Sequence, residues 1–144
     1  MRPTPWLPVV YMYATALVVV GLDQAAKVWL PARVLNQGVS FGVAAGWGGL
    51  PIMTTVLLLT LFIWLSLTAW RQHWPWWGWV ANGAVLGGGG SNVLDRLFSG
   101  AVRDPLRIPF TSLHNNLADY AIFLGVIGIC LVIYVKRKED VHAT

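Results

Sequence analysis

At 144 residues, 56% hydrophobic and 11% charged, with a mean hydropathy of +0.60, the chain is far more apolar than a water-soluble domain, where about a quarter of residues are charged. So short a chain cannot hide that much apolar surface in one aqueous core, because small domains bury only a modest share of their surface; lipid has to act as part of its solvent. The net charge of +4 comes from Lys and Arg spread along the chain without a basic stripe, which argues against nucleic acid as a partner and suits anionic lipid headgroups.

A helix that crosses the hydrocarbon core needs about 17 to 25 mostly apolar residues. Four stretches approach this length, at about 7–26, 51–70, 76–94 and 117–135. The first runs from Leu7 past Asp23 into Ala25 and Ala26. It lacks a small-residue cleavage site and leads straight into DQAAK (Asp23 to Lys27), so it is expected to stay as an anchor. After it, NQGVSFGVAAGWGG reads as a short strand-and-turn segment at the interface. The second stretch, Pro51 to Trp70, is the cleanest. The third carries Gly87 to Gly90; no Lys-Ser/Thr pair follows, so this is no phosphate loop, and small residues there permit close helix packing. The fourth has Asp119 near its start.

Backbone groups in lipid must be satisfied internally, which leaves helices as the plausible form of such runs. The expected fold is an all-α membrane protein: one domain over 1–144, four transmembrane helices and a small extracytoplasmic β-like segment. Nearly all nine tryptophans are expected to anchor span ends at the headgroups. An even number of spans puts both termini on one side. The basic residues then divide evenly, with Arg2, Arg71, Lys136, Arg137 and Lys138 opposite Lys27, Arg33, Arg96, Arg103 and Arg107. The compact Lys136–Lys138 cluster favours cytoplasmic termini.

Six residues are acidic, and Glu139 and Asp140 fall in the C-terminal tail. The other four, Asp23, Asp95, Asp104 and Asp119, all map to one end of the expected bundle, beside Asn36, Asn92, Asn115 and Asn116. Carboxylates beside spans usually pair or mark a site. Two that converge can share a proton, one acting as general base on a water while the other donates to a carbonyl. Competing chemistries are weak: the lone Cys130 admits no intrachain disulfide, the three histidines are scattered, and Ser40 with Lys27 has no shared framework. No metal or other cofactor is expected. The residues alone leave open whether Asp95 or Asp104 partners Asp119.

DQAAK, NQGVSF (Asn36 to Phe41), GGGGSNVLDR (Gly87 to Arg96), VRD (Val102 to Asp104) and NNLAD (Asn115 to Asp119) follow in that order at span boundaries. Together they resemble the motif series of the lipoprotein signal peptidases, the signal peptidase II family, over nearly the whole chain. The resemblance implies an aspartyl endopeptidase of the bacterial plasma membrane, multi-pass, its site on the extracytoplasmic side. It would cut signal peptides from diacylglyceryl-modified prolipoproteins before the lipidated cysteine, acting as a monomer among membrane lipids without a cofactor. It also implies that Asp104 and Asp119 are catalytic, that Asn92 and Asn116 orient them, and that Arg96 binds substrate backbone. Asn36 and Gly38 would cradle substrate, while Asp23 and Lys27 hold the outer helix ends together. Asp95, followed by Arg96, is expected to form a structural charge pair. Departures from the family pattern are Ala26, Ser91, Pro105, Asn115 and a short loop between Asp104 and Asp119. The competing reading is a non-enzymatic membrane protein, a small transporter or assembly factor, or an inactive homologue.

Overall fold

The computed structural model describes residues 6–30, 34–37, 50–71 and 73–142. In chain order the elements are α1 (Leu7–Trp29), β1 (Val34–Asn36), α2 (Leu50–Arg71), α3 (Trp76–Ser99), β2 (Val102–Asp104), β3 (Leu106–Arg107), β4 (His114–Asn115) and α4 (Leu117–His142). The four expected stretches are all helical. Local chemistry sets several of their ends. Pro8 sits in the first turn of α1, where a missing N–H costs nothing, and Pro75 caps the start of α3. Gly100 ends α3 in the left-handed region (φ 70°), and its N–H bonds the Arg96 carbonyl at 3.0 Å.

Two helices, Leu7–Trp29 and Leu117–Glu139, are long and apolar enough to cross a membrane by length and composition. Helices α1 and α3 run on past the expected ends at 26 and 94, carrying Lys27, Asp95 and Arg96 on regular helix. Paired charges make that extension tolerable.

Helix α3 is the axis of the bundle, packed against each of the other three. Three consecutive glycines make this possible, because successive helical positions face about 100° apart. A Cβ on Gly87 would stand 2.6 Å from the Ala16 carbonyl oxygen of α1, one on Gly88 2.5 Å from that of Ala118 in α4, and one on Gly89 2.6 Å from Leu59 Cδ2 in α2. The expectation of close packing holds, one glycine per neighbour. Helix α2 gains a polar tie to α3, where buried Asn82 donates to Ser66 Oγ.

The apolar core, built on Met12, Trp79, Val85, Ile129 and Val132 with Trp74, lies away from the aspartates. Trp74 and Trp79 correct the reading of the tryptophans as interface anchors, since they are 8% and 3% exposed and serve as core. Trp6, Trp29 and Trp76 are exposed, as anchors would be. Two small antiparallel sheets cap the other end. Strand β1 pairs with β2 (Val34 with Asp104, Asn36 with Val102), and β3 with β4 (Leu106 with Asn115). The strand expected in the first loop therefore starts at Val34; residues 38–49, including Gly38, lie outside the described residues.

Candidate active site

Asp104 ends β2, directly before Pro105, and the ring of a following proline favours the extended backbone seen there. Its carboxylate is buried, and Asn116 Nδ2 donates to its Oδ1 at 2.6 Å. Asn36, across the β1–β2 ladder, supplies a second hydrogen bond to it. Burial pushes the Asp104 carboxyl above its ordinary range, and the neighbouring Asp119 charge adds to the rise, while the bonds from Asn116 and Asn36 pull it down.

Asp119 lies in the first turn of α4. Its backbone N–H donates to Asn116 Oδ1 at 2.9 Å, so Asn116 caps α4 with one end of its amide and holds Asp104 with the other. Asn92 works in the same way one helix over. Its Nδ2 donates to Asp119 Oδ1 at 2.9 Å and its Oδ1 accepts from Lys27 Nζ at 3.2 Å. These bonds place Asp104 and Asp119 in one electrostatic unit, each carboxylate gripped by an asparagine amide. Buried Arg96 adds a positive charge that interacts electrostatically with Asp119, Asp104 and Asp95.

The second pair of aspartates does different work. Asp23 Oδ1 accepts the Ala118 N–H at 2.9 Å, satisfying a second open donor at the start of α4, where a negative charge also suits the helix dipole. Its Oδ2 takes Ser91 Oγ at 2.6 Å and Lys27 Nζ at 2.6 Å. Lys27 also reaches Asp95 Oδ2 at 3.1 Å, so its three protons have three acceptors in a buried place. Asp95, expected to form a structural charge pair, is held by residues of other elements. Its ion pairs among the described residues run to Lys27 and to Arg103, at 2.8 Å. Adjacent helical residues point in different directions; Asp95 meets α1 and β2, while Arg96 is coupled to Asp119 and Asp104 as well as to Asp95.

Three residues in this network escaped the sequence reading. Gln24 Nε2 donates to Ser91 Oγ (2.8 Å) and Asp95 Oδ1 (3.1 Å), and its Oε1 accepts from Arg103. Arg103 holds Asp95 twice, through its guanidinium and through its backbone N–H at 2.9 Å. Ser91 ties Asp23 and Gln24 together. All three sit inside or beside motifs already singled out. A signal existed for Ser91 and Asp95, whose i,i+4 spacing puts them on one face of α3.

The chain is similar to known proteins over most of its length. A family model for "Signal peptidase (SPase) II" matches residues 15–135. The chain is 33% identical over 157 positions to a lipoprotein signal peptidase of Xanthomonas oryzae pv. oryzae (strain PXO99A), covering 90% of this chain and 91% of that one. It is 29% identical over 165 positions to the lipoprotein signal peptidase of Xylella fastidiosa (strain M12), covering 96% of each. Among solved structures, a bacterial membrane enzyme determined by the in meso method at 2.3 Å superposes with a TM-score of 0.73 at 20% identity, over 89% of this chain and 90% of that one. A second, at 1.9 Å, gives 0.66 at 19% identity, over 85% and 91%.

Proposed function

We propose that this chain, which belongs to the signal peptidase II family of aspartyl proteases, processes prolipoproteins with Asp104 and Asp119 as its catalytic pair. The family assignment carries the reaction: the chain is a lipoprotein signal peptidase, and the transporter and assembly-factor readings are not favoured. The observation that supports the assignment of the pair is Asn116, which bonds the Asp104 carboxylate and the Asp119 backbone at once. The engagement of Asp95 with Lys27, Arg103 and Gln24 supports reading it as structural rather than as the partner of Asp119.

In this reading the pair shares one proton. The ionised carboxylate takes a proton from water as the water oxygen attacks the scissile carbonyl, and the protonated one donates to the carbonyl oxygen. Collapse of the tetrahedral diol returns a proton to the leaving amine and regenerates the pair. Asn92 and Asn116 orient the carboxylates, Asn36 supports Asp104, and Arg96 faces the substrate backbone. Gly38 is assigned to the substrate cradle. The substrate is the diacylglyceryl-modified precursor, cut before its lipidated cysteine.

All four helices span the membrane as one domain over 1–144, with both termini cytoplasmic, the aspartates at the outer interface of a bacterial plasma membrane and the lipid entering sideways between helices. Helix α2 carries no charge before Arg71, and α3 is shielded by its three neighbours, which supports counting both as spans. The working form is a monomer among membrane lipids.

The test is cleavage of a diacylglyceryl-modified prolipoprotein by the purified protein in lipid, with the unlipidated precursor as control. Asp104→Asn and Asp119→Asn should each lower the rate roughly a thousandfold or more, because the two act as a unit, while still inserting and folding. Cleavage surviving in either variant would remove that residue from the pair.

A further inference from the structure

Three cations and four carboxylates meet at the outer end of the bundle. Helix α1 brings Asp23 and Lys27, α3 brings Asp95 and Arg96, β2 brings Arg103 and Asp104, and α4 brings Asp119. Helix α2 has no charged residue between Leu50 and Trp70, β1 has none, Arg107 on β3 bonds the Thr111 carbonyl beside it, and β4, packed against β2, brings the titratable His114 opposite Arg107; Arg33 lies outside the described residues. Asp23 is matched by Lys27 at 2.6 Å, and Asp95 by Arg103 at 2.8 Å. That leaves Arg96 opposite Asp104 and Asp119. The remainder is neutral when the pair holds one proton and carries one negative charge when it holds none.

Arg103 is placed to do this for a geometric reason. Side chains alternate across a strand, so Arg103 and Asp104 look to opposite faces of β2. Asp104 meets Asn116, while Arg103 meets Asp95 and Gln24. The Arg103 N–H also ends on Asp95, so backbone and side chain of one residue lock β2 to α3 immediately beside the candidate catalytic carboxylate. We propose that Arg103 is a positioning residue for the reaction: it clamps the strand that carries Asp104 and neutralises Asp95, so that the charge of Arg96 is left to the Asp104–Asp119 pair. This rests on the reading of that pair as catalytic. Consistently, the hydrogen-bonded Asp95 carboxylate holds the Arg103 guanidinium above its usual pKa.

The experiment is the pH profile of kcat, measured on the full-length protein in lipid with a diacylglyceryl-modified prolipoprotein. In Arg103→Met the cluster gains a net negative charge, protons bind the pair more readily, and both limbs of the profile move to higher pH by roughly one unit. Arg103→Lys keeps the charge and should keep the profile near wild type. Asp95→Asn should move it to lower pH, and the Asp95→Asn/Arg103→Met double variant, with the charges again balanced, should return it. If Arg103→Met does not fold, the opposite shift in Asp95→Asn and its cancellation in the double variant still decide. An unmoved profile in these variants, or equal shifts in the Met and Lys variants, would overturn the role of Arg103 while leaving the pair in place. Retained cleavage in Asp104→Asn or Asp119→Asn would instead overturn the pair, and this inference with it.

Discussion

Asparagine amides have two ends, and here both are used. Asn116 caps α4 with its oxygen and holds Asp104 with its nitrogen, and Asn92 accepts from Lys27 while donating to Asp119. The amides thereby position both carboxylates through neutral donors, which orient them without adding a charge of their own. The balance of forces on Asp104 has a consequence for stability. A carboxyl whose folded-state pKa is raised contributes stability that is fully present below its unfolded value, near 3.8, and lost as pH rises through the folded value. At neutral pH the burial of the Asp104 carboxyl is therefore a cost. Asp104→Asn, which keeps an oxygen acceptor, should raise the thermal midpoint at neutral pH, and the difference from wild type should shrink as pH falls towards about 4. Thermal unfolding in detergent across that range measures it. A difference that grows on acidification would mean that hydrogen bonding, not burial, dominates at Asp104.

Among the elements, α3 decides whether the two halves of the site meet, since Asn92, Asp95 and Arg96 ride on it while Asp119 rides on α4. Close approach of these helices depends on Gly88, where a Cβ would press on the Ala118 backbone one residue before Asp119. Gly88→Ala gains about 1 kcal/mol of helix propensity but forces overpacking that typically costs about 1 to 3 kcal/mol. It should displace the start of α4 and lower cleavage at least tenfold. Gly90→Ala meets nothing within 4 Å, so it should keep full activity and stability equal to or above wild type. Cleavage and unfolding assays on the pair separate packing from propensity, and equal effects at the two positions would defeat the argument. That the glycine run served packing was readable from its place in an apolar stretch. Which glycine meets which helix was not, because that depends on the rotation of α3 among three neighbours.

At the scale of the whole molecule, the bundle is held differently at its two ends: Met12, Trp79, Val85, Ile129 and Val132 pack the apolar part, and charges lace the other end. The positions of the four aspartates showed in the sequence that one end of the bundle would be polar, since apolar runs fix helix ends and hence the level of every motif. Individual partnerships did not show. Asp95 finds Arg103 of β2, and Trp74 and Trp79 turn inward, because those choices depend on helix rotation and on which strand β2 meets. Lys27 is the hub of the laced end, buried and touching Asp23, Asp95 and Asn92 together. Removing one partner from a buried ionic cluster leaves uncompensated charge, typically at about 3 to 5 kcal/mol. Lys27→Met should therefore insert into membranes yet lose much of its unfolding free energy in detergent, and Asp23→Asn/Lys27→Met should recover part of that loss by deleting one of the stranded carboxylates. Recovery should stay incomplete, because Asp23 also accepts from Ser91 and from the first turn of α4. A Lys27→Met loss under about 1 kcal/mol would mean that water, rather than Lys27, compensates Asp23 and Asp95, and that the polar end is held by its hydrogen bonds alone.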